Sequence, residues 1–176
     1  YHGAEPGETE EEFATRLADN LEKLIVREDP ETVAAFIAEP VIGAGGVIVP
    51  PRTYFEKIQA VLEKYDLLLI DDEVICGFGR TGNLFGAQTF NMRPDTVSVA
   101  KSLSSAYVPL SAVIIPEFMY TPMVESSRRL GVFGHGYTYS GHPVCTAVTL
   151  KNLELMEERK VYDHAAQVSV RFQERL

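Results

Sequence analysis

Hydrophobic positions recur along this chain in two rhythms. Phe13, Leu17, Leu21, Leu24 and Ile25 repeat at helical spacing. Ahead of them Thr9 and Glu12 form a capping-box pattern, and glutamates fill the first turn. Pro30 closes that segment. Val33 to Ile37 reads as a short buried strand, ended by Glu39 and Pro40 and followed by a tight GAGG loop at 43–46. Arg52 to Lys64 returns to the helical rhythm, with Phe55, Ile58 and Leu62 on one face. Leu67 to Ile70 is an unbroken aliphatic run, as expected of a strand buried on both faces. It leads into Asp71, Asp72 and Glu73, then a glycine-rich turn, ICGFGRTG. Thr96–Ala100 and Leu110–Ile115 read as two further strands. Pro143 stands where proline favours the start of a helix, with Val148, Leu153 and Met156 on its apolar side. An amphipathic pattern resumes at Val161 and has no visible end.

Strand, helix and strand joined by short loops predict an α/β fold, a mainly parallel sheet with helices on both faces. A charged EERK run at 157–160 suggests one domain over 1–158 and the start of a connection over 159–176. The chain opens on Tyr1 and stops within a helical pattern, so the expectation is a segment of a longer protein.

Composition narrows the function. Hydrophobic residues make up 45% and charged residues 23% of 176, the balance of an ordinary globular domain. Net charge is −9, and −7 of it falls in the first 31 residues, which reads as a solvated helix face. No basic stripe is present, so nucleic acid is not an expected partner. No apolar run reaches the roughly 18 residues of a membrane span, and no secretory leader is visible. Cys76 and Cys145 lie far apart, which fits a reduced cytoplasmic compartment. The four histidines lack zinc-ligand spacing, so no metal is expected.

The polar residues gather where such folds place their chemistry. Glu39 follows FIA, Asp72 follows LLLID and Lys101 follows TVSVA, each at a strand's carboxyl end. In α/β sheets ligands bind beyond those ends. Any one of the three alone reads as a solvated strand end. Together they suggest a site. Lys101 precedes the small-residue run SLSSA, which lets a flat ligand approach. A lysine partly withdrawn from water becomes a usable nucleophile for Schiff-base chemistry. An acid nearby can hold a ring nitrogen protonated, the arrangement of pyridoxal-phosphate enzymes. GHGYTYSGHPV at 134–144 places glycines and hydroxyls just before a helix, which suits a phosphate. An alternative is a helix-capping loop that binds nothing. Adjacent aspartates at a buried strand end are unusual, because an unpaired buried carboxylate is costly. On an extended strand Asp71 and Asp72 point to opposite faces, and Asp71 has no partner that the sequence names.

DEVICGFGRTG at 72–82, AKSLSS at 100–105, HGYTYSGHPV at 135–144 and AAFIAEPVIGAGGVIVPP at 34–51 resemble the signatures of class III aminotransferases, in particular the ω-amino acid and amine:pyruvate branch. The resemblance covers about residues 10–160. It implies the large domain of a fold-type I pyridoxal-phosphate transferase, with a small domain beyond residue 176. It also implies a homodimer, or a tetramer, with active sites at the subunit interface. Lys101 matches the lysine that forms the internal aldimine and moves the proton. Asp72 matches the acid paired with the pyridine nitrogen, and Val74 the residue packed on the ring. Thr138, with Tyr137 beside it, matches the threonine that reaches the neighbouring subunit's cofactor phosphate. Glu39 matches a glutamate that pairs with a mobile arginine and so gates the substrate pocket. Asp71, Ala106 and Ser111 depart from the pattern; at Ala106 and Ser111 glycine is frequent. The implied reaction moves an amino group from an ω-amino acid or amine to pyruvate or another 2-oxo acid. Aminomutases and a decarboxylase share these motifs, and a non-catalytic module of the same fold is a third reading. The isolated 176 residues are expected to be inactive.

Overall fold

The computed structural model describes residues 1–176. Helix α1 spans Glu10–Glu28 and begins as the capping box requires. Glu12 N donates to Thr9 Oγ1 at 3.2 Å, and Thr9 N donates to Glu12 Oε2 at 2.8 Å. Phe13, Ala14, Ala18 and Ile25 are its buried residues, and α1 packs on α2, Tyr54–Lys64. The acidic face of α1 is not simply solvated, because α2 and the turn before it supply its counter-charges. Glu10 meets Arg52 at 3.1 Å, Glu11 meets Lys57 at 3.7 Å, and Glu22 is bonded to Lys64.

Four strands form one sheet in the order β1 (Ala35–Ala38), β2 (Leu68–Asp72), β3 (Thr96–Val99) and β4 (Ala112–Ile114). The first three are parallel and β4 is antiparallel to β3, so the sheet is mainly parallel as expected. The strand read over Val33 to Ile37 as buried is an edge strand, β1, whose Ile37 is 60% exposed; β4 is also an edge strand and exposed throughout. Apolar composition alone does not distinguish an edge strand from a central one.

The pleat sorts the faces. Leu69 and Asp71 of β2 are buried while Leu68, Ile70 and Asp72 are half-buried. Phe36 is in register with Leu69, and Val97 with Asp71, so these residues share one face. Leu67 and Leu69 pack there with Ala18 and Ile25 of α1 and Phe55, Ile58 and Leu62 of α2. Val99 joins a smaller cluster with Phe78, Leu103 and Met156. Burial of the kind seen here stabilises by about 25 cal/mol per Å² of apolar surface.

Gln59 of α2 is a buried polar clasp. Its Nε2 donates to Phe55 O at 2.9 Å and Asn91 O at 3.2 Å, and Arg93 N donates to its Oε1 at 2.7 Å. Next to it, Leu69 N donates to Asp95 Oδ2 at 2.8 Å, which fixes the entry of β3 beside β2. Short α3 is Gly86–Thr89, followed by α4 (Glu117–Leu130), α5 (Pro143–Glu158) and α6 (Val161–Gln173). Between α5 and α6, Lys160 adopts φ 49°, so the helix breaks at the charged run, and the residues after it continue as a helix. No helix is long and apolar enough to cross a membrane.

Candidate active site

The three parallel strands end on one edge. Ala38 is level with Asp71, and Asp72 with Ser98. Glu39, Asp72 and Lys101 therefore all reach the carboxyl edge, as the sequence predicts. Glu39 is half-buried, and Gly43 N donates to its Oε2 at 3.0 Å, which ties it to the GAGG loop.

Asp72 is half-buried on the face opposite the main core. Val74 N donates to Asp72 Oδ1 at 3.0 Å. That bond ends the strand. Gly77 N then donates to Glu73 O at 2.9 Å and the chain curls into a turn. Continued extension would set Val74 on the same side as Asp72. The strand stops at Asp72, so alternation does not fix the direction of the Val74 side chain.

Asp71 and Glu73 are both fully buried, two residues apart. Ala87 N donates to Glu73 Oε1 at 2.7 Å, but Glu73 Oε2 and both Asp71 oxygens receive no donor. Burial, and then the negative charge of Glu73, push the Asp71 carboxyl up to about 8. The raised value favours the protonated form of Asp71 at neutral pH. The partner missing from the sequence reading is a second acid. The pattern Asp-x-Glu across one pleat was the available signal.

Two glycines of the CGFGRTG turn, Gly79 and Gly82, have left-handed φ of 104° and 85° and lie against α6. A Cβ on Gly79 would stand 2.9 Å from Tyr162 Cδ1, and one on Gly82 would stand 3.1 Å from the Cβ of Ala166. Cys76 is buried beside it, and burial raises its thiol above the ordinary value.

Lys101 opens a three-residue 3-10 turn, Lys101–Leu103, just past β3. It is exposed, and no salt bridge of the chain involves it. Its φ is 45°, and Ser105 and Ala106 follow at 49° and 62°. Ala106 therefore occupies the left-handed conformation that favours glycine. Below the turn, Leu103 and Ser104 are buried, and Ser104 Oγ donates to Val108 O at 2.6 Å. Asn152 of α5 donates through Nδ2 to Ser102 O at 3.1 Å and Leu103 O at 2.9 Å. Sequence reasoning missed Asn152. Its signal is a polar residue at helical spacing with Thr149, Leu153 and Met156 on the inward stripe of α5.

Tyr137 and Thr138 are exposed in the loop before α5. Tyr137 N donates to Ser140 Oγ at 2.9 Å, and His142 with Pro143 starts the helix. No hydrogen bond of the chain joins this loop to the Lys101 turn; it projects outward. Asp72 and Lys101 are thus brought to one edge, and Tyr137 and Thr138 are not brought to them.

These residues suit pyridoxal phosphate. Lys101 offers an exposed amine with no counter-ion in the chain, on the strand next to that of Asp72. Asp72 has an oxygen, Oδ2, to which no group of the chain donates, as an acceptor for a protonated ring nitrogen requires. No cluster of three metal-ligating side chains exists.

The family model for class III aminotransferases matches residues 3–176. A probable gamma-aminobutyrate transaminase 2, mitochondrial, of Oryza sativa subsp. indica is 63% identical over 169 residues, 96% of this chain and 34% of that protein. A vanillin aminotransferase of Capsicum chinense is 57% identical over 171 residues, 97% of this chain and 37% of that protein. Among solved structures, a transaminase with L-ala aligns at a TM-score of 0.95 and 58% identity, over 98% of this chain and 41% of its own. The omega transaminase from Pseudomonas jessenii in complex with PMP aligns at 0.90 and 58% identity, over 93% and 36%. The chain thus spans about a third of the length of the curated relatives, 34% for the rice protein.

Proposed function

The chain belongs to the class III aminotransferases, and from that premise we propose that it is a central part of the large domain of a pyridoxal-phosphate transaminase. The whole protein would move an amino group from an ω-amino acid or amine to pyruvate or another 2-oxo acid. The observation that carries this reading is that the Asp72 carboxylate at the end of β2 and the unpaired Lys101 amine just past the adjacent parallel β3 reach the same sheet edge. A relative named for gamma-aminobutyrate, an ω-amino acid, supports a donor of this class.

Pyridoxal phosphate, when bound, supplies an electron sink for the electron pair released at the amino-bearing carbon. The remaining work belongs to the chain. Lys101 Nζ would be the amine that holds the cofactor and, once freed, the base that would move a proton at the substrate carbon. Asp72 would be the acceptor that keeps the cofactor's ring nitrogen protonated. Thr138, with Tyr137, is assigned to the phosphate of the neighbouring subunit in a homodimer, which fits its outward position. Glu39 is assigned to a guanidinium at the substrate pocket, and to make that pair it would compete with its bond to Gly43 N. Val74 is assigned to the ring face.

Residues 159–176 are assigned to the connection toward a small domain. A cytoplasmic location is part of the proposal. Relatives named mitochondrial and chloroplastic give the alternative, and imaging of the tagged whole protein decides between them.

The test is borohydride reduction of the whole protein loaded with pyridoxal phosphate, followed by mass analysis of the Lys101 peptide. Label on Lys101, with alanine formed from pyruvate and a candidate amine, is the expected result. Label without alanine from any amine favours an aminomutase or decarboxylase. No label on Lys101 overturns the assignment and leaves a non-catalytic module.

A further inference from the structure

We propose that Asn152 is a positioning residue for Lys101, gripping from α5 the short turn that aims the lysine. The proposal rests on the reading of Lys101 as the cofactor-binding amine. A 3-10 turn of three residues does not hold itself rigid. Here it carries three left-handed residues, Lys101, Ser105 and Ala106, within six positions. Each is unfavourable for a residue with a Cβ and persists only where the surroundings impose it. The turn is exposed above, so the constraint comes from below. Leu103 is anchored beside Met156 in the smaller apolar cluster. One turn earlier on α5, Asn152 Nδ2 donates to the carbonyls of both Ser102 and Leu103. One rigid helix thus holds the turn by an apolar peg and a two-pronged amide clamp. Ser104 Oγ closes the loop onto Val108 O, and Arg80 reaches Ser102 Oγ at 3.4 Å.

The clamp has a mechanistic use. The Lys101 amine changes partners during the reaction while its backbone must stay fixed. Donors to the two carbonyls next to Lys101 fix the backbone without touching the amine. The same helix begins at the loop carrying Tyr137 and Thr138. α5 therefore ties this subunit's lysine to the loop assigned to the neighbour's phosphate.

Asn152→Asp keeps the shape but sets carboxylate oxygens against the two carbonyls. Asn152→Ala removes the donor alone. In the whole apoprotein, amide hydrogen exchange should speed up at 101–107 in both variants, more in Asn152→Asp, with the rest of α5 unchanged. Condensation of pyridoxal phosphate with Lys101, read by absorbance and by borohydride trapping, should weaken by roughly tenfold in Asn152→Asp, the worth of a lost and inverted hydrogen bond. In the loaded enzyme kcat should fall with little change in KM for the amino donor. A condensation constant within about twofold of wild type in both variants overturns the proposal. So does faster exchange spread evenly over α5, which marks a merely structural residue. If Asn152→Asp does not fold, Asn152→Ala decides by the same criteria. If wild type itself traps no cofactor on Lys101, the functional reading fails with the proposal. In that case the exchange data, which need no cofactor, show whether the clamp exists.

Discussion

Replacing Asp71 by asparagine should stabilise the protein at neutral pH and flatten its pH dependence. The buried carboxyl of Asp71 is pushed from 3.8 up to about 8, chiefly by burial and then by Glu73. In the unfolded chain it ionises near its ordinary value. Between those two values the folded state holds a proton that the unfolded state has released, so stability falls as pH rises. Below about pH 4 and above about pH 8 the contribution is flat. Each pH unit in the window is worth about 1.4 kcal/mol. At pH 7 roughly three units have passed, a cost on the order of 4 kcal/mol. Asparagine carries no such cost. It buries N–H groups without a fixed acceptor, which returns about 1–2 kcal/mol. The expected net gain is about 2 kcal/mol at pH 7 and close to nothing near pH 5. Urea unfolding of the whole apoprotein at fixed concentration, between about pH 5 and pH 8, gives both curves. Parallel curves for wild type and Asp71→Asn would refute the raised Asp71 value.

Asp72→Asn should leave the circular dichroism unchanged and slow turnover by roughly two orders of magnitude, the usual scale for one electrostatic partner in a site; unchanged kcat would count against its role at the ring nitrogen. Ala106→Gly should stabilise by about 1 kcal/mol, because alanine at φ 62° carries a strain that glycine lacks; a denaturation midpoint equal to wild type would show that the loop relaxes around alanine. Gln59→Leu should destabilise by about 2–4 kcal/mol, since it strips donors or acceptors from Phe55 O, Asn91 O and Arg93 N. A smaller loss would mean that water enters the cleft in its place.

What the sequence disclosed follows from how local each determinant is. The capping box at Thr9 and the helix start at Pro143 depend on residues a few positions apart, and both hold. The strand ends Glu39, Asp72 and Lys101 were legible because an apolar run stops at a charge. Long-range cover is another matter. Ile37 reads as part of a buried strand but lies exposed, since periodicity does not say which face another element reaches. α4 carries Pro122 inside it, and proline reads as a break although the helix continues past it. The turn at Val74 was not legible because the Asp72 side chain captures its N–H, a local competition that alternation ignores. Asn152 lies about fifty residues from the carbonyls it holds, so only the fold brings them together.

The two glycines of the CGFGRTG turn that face α6 bear on how a mutational map of this protein would look. A saturation scan scored on activity would mark Gly79 and Gly82 as sensitive, and their place between Asp72 and Lys101 would invite a chemical explanation. The contacts at 2.9 and 3.1 Å to Tyr162 and Ala166 give a different one. Side chains there push a helix away, so their losses should track protein abundance in the cell, whereas losses at Lys101 should not. Scoring abundance beside activity would separate the residues that carry out the reaction from those that give α6 somewhere to rest.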